Sequence, residues 1–312
     1  MEYVNLANAY IFVNRPDQAD ATLRQAEARH VDPAATDDIF YLVAFLRHDS
    51  AAMNSISSRL LKKEGYEDQI LNFESDSAAY NGHLVKAREL SEAAIDSAEH
   101  AGEKELAGGY AAESALREAL DGNANLAKRQ ARRALSMSDG SQVKAVAAIA
   151  FAVAGDAAQA ARIAADLNQR YPKDTAVQFN YLPVIRTSAA LPKDPQSALQ
   201  AIAPAERYEL GWMGNNLDFN GYPAYFRAVA LLANQQAALA AAEFQKIIDH
   251  PGVVLNEPIG ALARLELGRS YAMSGDTEKA KAAYQDFLSM WKDADSDIPV
   301  YQQARLEYTK LR

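Results

Sequence analysis

Residues 265–292 read LELGRSYAMSGDTEKAKAAYQDFLSMWK, and this stretch decides the fold class. Apolar residues follow helical spacing on both sides of a central glycine: Leu267 and Tyr271 before Gly275, and Ala280, Tyr284 and Phe287 after it. Gly275 can adopt the left-handed backbone conformation that ends a helix, and Asp276 can cap the next helix. The stretch therefore predicts two antiparallel helices joined by a tight turn.

The same pattern recurs along the whole chain, at spacings of 34, 34, 40, 33, 38, 42 and 40 residues. The predicted turn residues are Asn14, His48, Gly82, Gly122, Gly155, Lys193, Gln235 and Gly275. Five residues after each turn stands a small or flexible side chain: Ala19, Met53, Ala87, Ala127, Ala160, Ala198, Ala240 and Ala280. A repeat of this length is typical of solenoids. We predict one all-α domain over residues 1–312, a right-handed α-solenoid of about eight helix hairpins with degenerate middle repeats.

Two segments depart from the repeat. Residues 205–226 form an irregular linker rich in glycine, in which Tyr208 and Trp212 either fill a widened gap between units or belong to a binding loop. Residues 299–312 are amphipathic and have no partner helix in the pattern. They are predicted to form the capping helix that a solenoid end requires.

Composition narrows the possible partners. Lys and Arg total 32 against 41 Asp and Glu, a formal net charge of −9, which argues against a nucleic-acid or anionic-membrane surface. There is no cysteine, so disulfides and thiolate metal sites are excluded. No apolar run is long enough to span a membrane, and no signal peptide is visible. The chain begins inside a repeat and is therefore expected to come from a longer polypeptide. The expected location is cytoplasmic, or extracytoplasmic if that polypeptide has a membrane span upstream.

No catalytic constellation is found in the sequence. The five histidines are scattered without metal-ligand spacing, and no phosphate-binding glycine loop is present. Paired carboxylates such as Asp37 and Asp38 lie at helix starts or in loops, where capping explains them. We therefore expect no enzyme activity, no cofactor and no metal site.

The last unit, with Leu267, Gly268, Tyr271 and Ala280, closely resembles the tetratricopeptide repeat, and the first unit matches it at Tyr3, Asn5, Leu6, Ala7, Asn8 and Tyr10. The resemblance implies a concave groove lined by the first helix of each unit, in which inward-pointing side chains hold a protein or peptide ligand. The positions that match or extend this register are Asn5, Asn8, Asn72, Asp76, Glu113, Tyr222, Tyr225, Phe226 and Arg269.

Alternatives remain for several of these positions. Asn5 and Asn8 are also common at such positions in helix pairs without a binding role. Tyr225 and Phe226 either present an exposed aromatic surface or are buried against a neighbouring unit. The family's cationic clamp for carboxylates is not reproduced, because Val4, Asp38 and Leu42 stand where its Lys or Asn residues are expected.

A narrower resemblance is carried by YELG (208–211), EFQKIIDH (243–250) and residues 275–299. These segments look like the C-terminal repeat regions of bacterial, acidobacterial-type serine/threonine kinases or of winged-helix regulators. The leading hypothesis is a non-catalytic scaffold, the regulatory module of a bacterial signalling protein with an upstream kinase or DNA-binding domain. The alternative is a ligand-sensing array of a transcription regulator. Kinase motifs are absent from this sequence.

Overall fold

The computed structural model describes residues 2–31, 34–211 and 220–311, and these residues form eighteen α-helices and no strand. The helices are α1 Glu2–Phe12, α2 Pro16–Ala28, α3 Ala34–Leu46, α4 Ser50–Leu60, α5 Glu67–Tyr80, α6 Leu84–His100, α7 Lys104–Leu120, α8 Ala124–Met137, α9 Ser141–Val153, α10 Ala157–Arg170, α11 Leu182–Ala190, α12 Pro195–Ile202, α13 Tyr222–Ala233, α14 Ala237–Asp249, α15 Pro251–Val254, α16 Ile259–Met273, α17 Thr277–Met290 and α18 Pro299–Thr309. A π-helical turn, Val177–Tyr181, leads into α11, and a 3-10 turn, Ala203–Ala205, follows α12.

Sixteen of these helices pair into eight successive hairpins, from α1/α2 to α16/α17, with α15 as a short connection before the last one. We number the hairpins 1 to 8. The predicted all-α solenoid is confirmed, whereas its handedness stays a prediction.

The predicted turns end the first helices as expected, with one exception. Seven of the eight turn residues have a positive φ, from 56° at His48 to 96° at Gly122. Lys193 does not have a positive φ, although it lies in a turn as predicted. Here Asp194 accepts a hydrogen bond from the Ser197 N–H at 3.0 Å, and Pro195 supplies the fixed φ that begins α12.

Small residues sit where the two helices of a hairpin cross. The alanine five residues after the turn is buried in seven hairpins, and Met53 is half-buried in hairpin 2. A Cβ atom added to Gly268 would lie 2.9 Å from the ring of Tyr284, closer than carbon atoms pack. The small side chains therefore let the helix axes approach, as the sequence predicts.

The C-terminal end of the solenoid folds back onto its middle. Trp291 is fully buried and donates its indole N–H to the Tyr80 carbonyl at 2.9 Å. The Asp295 N–H bonds to the Gly82 carbonyl at 3.0 Å, and the Asp295 carboxylate accepts the Val85 N–H at 2.7 Å. We call residues 291–298 the strap, because they cross the turn of hairpin 3.

The capping helix begins against hairpin 4. The Val300 N–H bonds to the Asp121 carbonyl at 3.2 Å, and Pro299 packs so closely on Gly122 that a Cβ atom there would lie 2.9 Å away. The predicted helix is confirmed over Pro299–Thr309. It also has partners, since it packs on α17 and on the turn of hairpin 4.

Hairpin 1 meets the connection between hairpins 7 and 8. The Asn14 side-chain amide donates to the Asp249 carbonyl at 2.8 Å and accepts the Gly252 N–H at 2.9 Å. A Cβ atom on Gly252 would lie 1.8 Å from the Ile11 carbonyl oxygen, so only glycine allows this approach. Both ends of the chain are thus tied to distant hairpins, and the inner side of the solenoid is largely filled.

The predicted linker over 205–226 is shorter than expected, because α13 already begins at Tyr222. Tyr208 lies against Phe179 with ring centroids 5.6 Å apart, but both side chains are about 40% exposed, so Tyr208 does not fill a gap. Trp212 lies outside the described residues. Glu209 fixes the start of the linker through ion pairs with Arg227 and Lys246, at 2.8 and 2.9 Å.

Candidate functional site

The nine predicted binding residues fall into three places. Asn5 and Asn8 lie on α1, where Asn5 is exposed and Asn8 half-buried. Four others belong to a buried polar cluster. Tyr225 and Phe226 line a concave pocket, and Arg269 lies beside it.

The inner polar cluster joins α5 and α7. Arg117 forms a short ion pair with Asp76 and donates to the Ser75 hydroxyl at 3.0 Å. The Asn72 amide donates to Glu113 at 2.9 Å. All five side chains are buried, at most 9% exposed.

Tyr222 and Glu257 complete this cluster from the C-terminal half of the chain. The Tyr222 hydroxyl donates to Glu257 at 2.8 Å, and Arg117 interacts electrostatically with both. Burial raises the pKa of Asp76 to about 6 although Arg117 favours its charged form. The predicted groove positions Asn72, Asp76 and Tyr222 thus face inward, but they tie hairpins together and present no open surface.

Asp121 is a buried carboxyl group without hydrogen-bond partners. It is 1% exposed, and neither carboxyl oxygen has a partner. Burial, with a further contribution from the charge of Glu118, raises its pKa to about 8, although Arg117 and Arg88 oppose the shift. Asp121 is therefore protonated at neutral pH.

The substitution Asp121→Asn is expected to weaken the dependence of stability on pH. In the unfolded chain an Asp titrates near a pKa of about 4. Between that pH and about 8 the folded state holds an extra proton on Asp121, so the free energy of unfolding falls as pH rises. Asparagine does not titrate and removes this fall. Urea unfolding at pH 5, 7 and 9 measures it.

The control for this measurement is Asp293→Asn, because Asp293 has a side chain that is 76% exposed. It is expected to keep the pH dependence of the wild type. Asp76 is retained in both variants, so its own titration cancels in the comparison. Equal pH slopes for Asp121→Asn and wild type would contradict the assignment of a buried proton to Asp121.

A concave pocket of about 230 Å³ opens where the first helices of hairpins 4 to 8 converge. Most of its walls come from the C-terminal parts of α7, α9 and α11, together with α13 and α16. Its lining residues are Leu120, Ala152, Val153, Ser188, Leu191, Pro192, Tyr225, Phe226, Val229 and Glu266. The lining is mainly apolar, with one charged residue.

Tyr225 and Phe226 form a buried aromatic wall of this pocket. They are 4% and 2% exposed, and their rings meet edge to face with centroids 5.7 Å apart. Phe244 packs against Tyr225 at 5.9 Å. Of the two possibilities that the sequence leaves open, the structure shows burial, yet both residues border the pocket.

Arg269 is held in an ion-pair network beside the pocket. Its Nη1 donates to Glu266 at 2.6 Å, and its Nε and Nη2 donate to Glu307 of α18 at 2.9 and 3.2 Å. All three guanidinium nitrogens are thus engaged within the chain. Arg269 positions Glu266 and anchors the capping helix, whereas the sequence predicts contact with a partner.

Several residues of these sites are absent from the sequence-based predictions. A large apolar side chain stands two residues before seven of the eight turns: Phe12, Leu46, Tyr80, Leu120, Val153, Leu191 and Met273. Three members of this row, Leu120, Val153 and Leu191, line the pocket. This row is a sequence signal that could have located the pocket. Arg117 and Glu257 carry no comparable periodic signal.

In the part of the chain that the structure describes, no group of His, Asp and Glu side chains is arranged to hold a metal ion. Within the same residues, no helix is both long and apolar enough to cross a membrane.

One comparison with known proteins gives a match to a repeat family over a short part of the chain. The sequence model of a family described as Tetratricopeptide repeat matches residues 262–293, which cover most of α16 and all of α17. This match supports the resemblance drawn from hairpin 8, and repeats of this family generally mediate protein–protein binding. No curated protein matches the chain. The narrower resemblance to kinase-associated and winged-helix regulators is not confirmed and stays a prediction.

Proposed function

We propose that this chain is a non-catalytic scaffold that binds a peptide segment of a protein partner in the concave pocket. The observation that carries the proposal is that the first helices of five consecutive hairpins, 4 to 8, converge on this apolar recess. A solenoid places its binding surface on the concave side, where successive repeats contribute adjacent side chains.

The size of the pocket favours a side chain over a whole small molecule. Its volume of about 230 Å³ is below the roughly 300–1,000 Å³ of usual small-molecule sites. Protein interfaces often depend on a single apolar or aromatic anchor inserted in such a recess. One apolar side chain of the partner fits this role. Asn5 and Asn8, accessible on α1, remain candidates for a second contact with the peptide backbone.

The cellular role that we propose is that of a regulatory module in a bacterial signalling protein. Support comes from the resemblance of residues 208–211, 243–250 and 275–299 to repeat regions that accompany kinases or winged-helix domains. In that setting the module works in the cytoplasm, and the partner is a protein recruited to the upstream domain. The complete reading frame tests this proposal directly.

A second candidate function, a ligand-sensing array, is favoured by a larger groove elsewhere. This groove of about 580 Å³ lies between hairpins 2 and 3 and the strap, and its lining includes Asn81, His83, Lys86, Lys292 and Asp293. Its volume is in the usual range for small molecules. A thermal-shift screen against metabolites separates this candidate from the scaffold, because a ligand bound in the groove stabilises the folded state.

The substitution Val229→Trp is expected to weaken peptide binding strongly. Val229 is a half-buried wall residue of the pocket, so an indole at this position fills the recess. Peptides selected from a random display library on the wild-type chain should lose at least about tenfold in affinity for the variant, since the anchor carries much of the binding energy. Fluorescence anisotropy with the selected peptides measures the loss.

The matched control is Leu239→Trp, which adds an indole to a 56% exposed position on α14. Both variants should unfold at similar temperatures, because neither position is fully buried. Unchanged affinity of Val229→Trp for every selected peptide would show that the pocket is not the binding site.

A further inference from the structure

We infer that the concave pocket selects peptide segments in which a basic residue flanks the apolar anchor. This inference rests on the proposed function and adds the chemical class of the partner. It rests on the charged groups at the polar end of the pocket, which are Glu266, Glu307 and Arg269.

Glu266 is the acidic group that lines the pocket. Its side chain is 14% exposed, so a bound ligand can reach it. It accepts one hydrogen bond from a charged donor, Arg269 Nη1, at 2.6 Å. A carboxylate can accept about four hydrogen bonds, so Glu266, which lines the pocket, keeps acceptor capacity.

Glu307, the second carboxylate that pairs with Arg269, has no such spare acceptor capacity. Its carboxylate accepts two bonds from Arg269, one from the Tyr284 hydroxyl at 2.8 Å and one from the Gln303 amide at 2.8 Å. Glu307 is therefore saturated by groups of this chain. The Nε and both Nη atoms of Arg269 donate to these two carboxylates, so its positive charge is already balanced within the chain.

The charges at this end of the pocket sum to a net negative value. Glu266 and Glu307 contribute two negative charges and Arg269 one positive charge. Asp121, which interacts electrostatically with the adjoining Tyr225, carries a proton at neutral pH and adds no charge. One unit of negative charge remains beside an apolar recess.

A ligand that complements this surface has an apolar side chain for the recess and a cation for Glu266. Charge complementarity at a partly desolvated site governs which partner is accepted. The formal charge of −9 on the whole chain acts in the same direction, by attracting basic segments from a distance. A Lys or Arg next to a Leu or Phe in a peptide meets both requirements.

The test uses matched fluorescent peptides in which a central Leu or Phe is flanked on both sides by Lys, by Gln or by Glu. At low salt the Lys-flanked peptides are expected to bind the wild type about threefold to tenfold more tightly than the Gln-flanked ones, and the Glu-flanked ones least tightly. The substitution Glu266→Gln should remove the preference for Lys over Gln. Glu278→Gln, at an 87% exposed side chain, serves as the matched control and should keep it.

The outcomes separate the inference from the function on which it rests. If Gln-flanked peptides bind but Lys-flanked peptides bind no better, the charge preference is wrong and the peptide site stands. If no peptide binds, both the proposed function and the inference that rests on it are wrong. The wild-type preference and its decrease at 0.5 M salt do not depend on any variant, so a misfolded Glu266→Gln protein leaves the test intact.

Discussion

Replacing Arg117 with methionine is expected to lower the free energy of unfolding by about 3–5 kcal/mol, because removing one partner of a buried ion pair leaves the other charge without compensation. Arg117 is 4% exposed and pairs with Asp76, which is 5% exposed. It also balances the carboxylates of Glu113 and Glu257. Urea unfolding followed by circular dichroism measures the loss.

Two further variants show whether charge or volume is responsible. The double substitution Arg117→Met with Asp76→Asn removes both charges and should recover part of the lost stability. Arg129→Met, at an exposed position of α8, should change the free energy of unfolding by about 0.5 kcal/mol or less. If Arg117→Met proves as mild as Arg129→Met, the inner polar cluster is not a structural centre.

The hairpins could be predicted because their signals are local. Gly82, Gly122 and Gly275 occupy left-handed turns that an L-residue rarely adopts, and each is followed at a fixed distance by a buried alanine. Such a signal needs only a few neighbouring residues. The turn at Lys193 lacks the left-handed residue, because Asp194 and Pro195 begin the next helix by a different capping mechanism.

The contact that joins hairpin 1 to the connection between hairpins 7 and 8 could not be predicted in the same way. The bonds of Asn14 to Asp249 and Gly252 join residues 235 and 238 positions apart, and no sequence period connects them. An asparagine in a turn is explained by the turn alone. Its second role, as a clamp on a distant segment, appears only when the hairpins are assembled.

Buried contacts also explain why the inner face of the first helices is not an open groove along its whole length. The register places Asn72, Asp76 and Glu113 on the inner face of the first helices, and the structure has them there. The resemblance to the tetratricopeptide repeat, whose concave groove binds peptides, led to the expectation of a ligand on that face. Instead, Arg117, Tyr222 and Glu257 occupy the space beside these residues.

Replacing Trp291 with alanine is expected to destabilise the protein by about 3–5 kcal/mol and to release the strap. The indole is fully buried, with ring centroids 4.8 Å from Phe287 and 5.9 Å from Tyr301. It also donates to the Tyr80 carbonyl, which links the strap to hairpin 3. Substitution by alanine therefore both creates a cavity and removes this hydrogen bond.

Hydrogen exchange distinguishes release of the strap from a uniform loss of stability. In Trp291→Ala the amides of Val85 and Asp295, which bond across the contact between the strap and hairpin 3, should exchange faster than the helical amides of hairpins 5 and 6.

Trp291→Phe keeps most of the ring and loses the N–H donor, so it is expected to cost about 1–3 kcal/mol and to retain the strap. Met273→Ala, which truncates a 52% exposed apolar side chain on α16, provides the control for removing a large apolar side chain at the surface. A Trp291→Ala protein in which those two amides keep their protection relative to hairpins 5 and 6 would mean that the strap is held by Asp295 and Pro299 without the indole. The contact between the strap and hairpin 3 would then depend on the hydrogen bonds of Asp295, and Trp291 would contribute only to the core of hairpin 8.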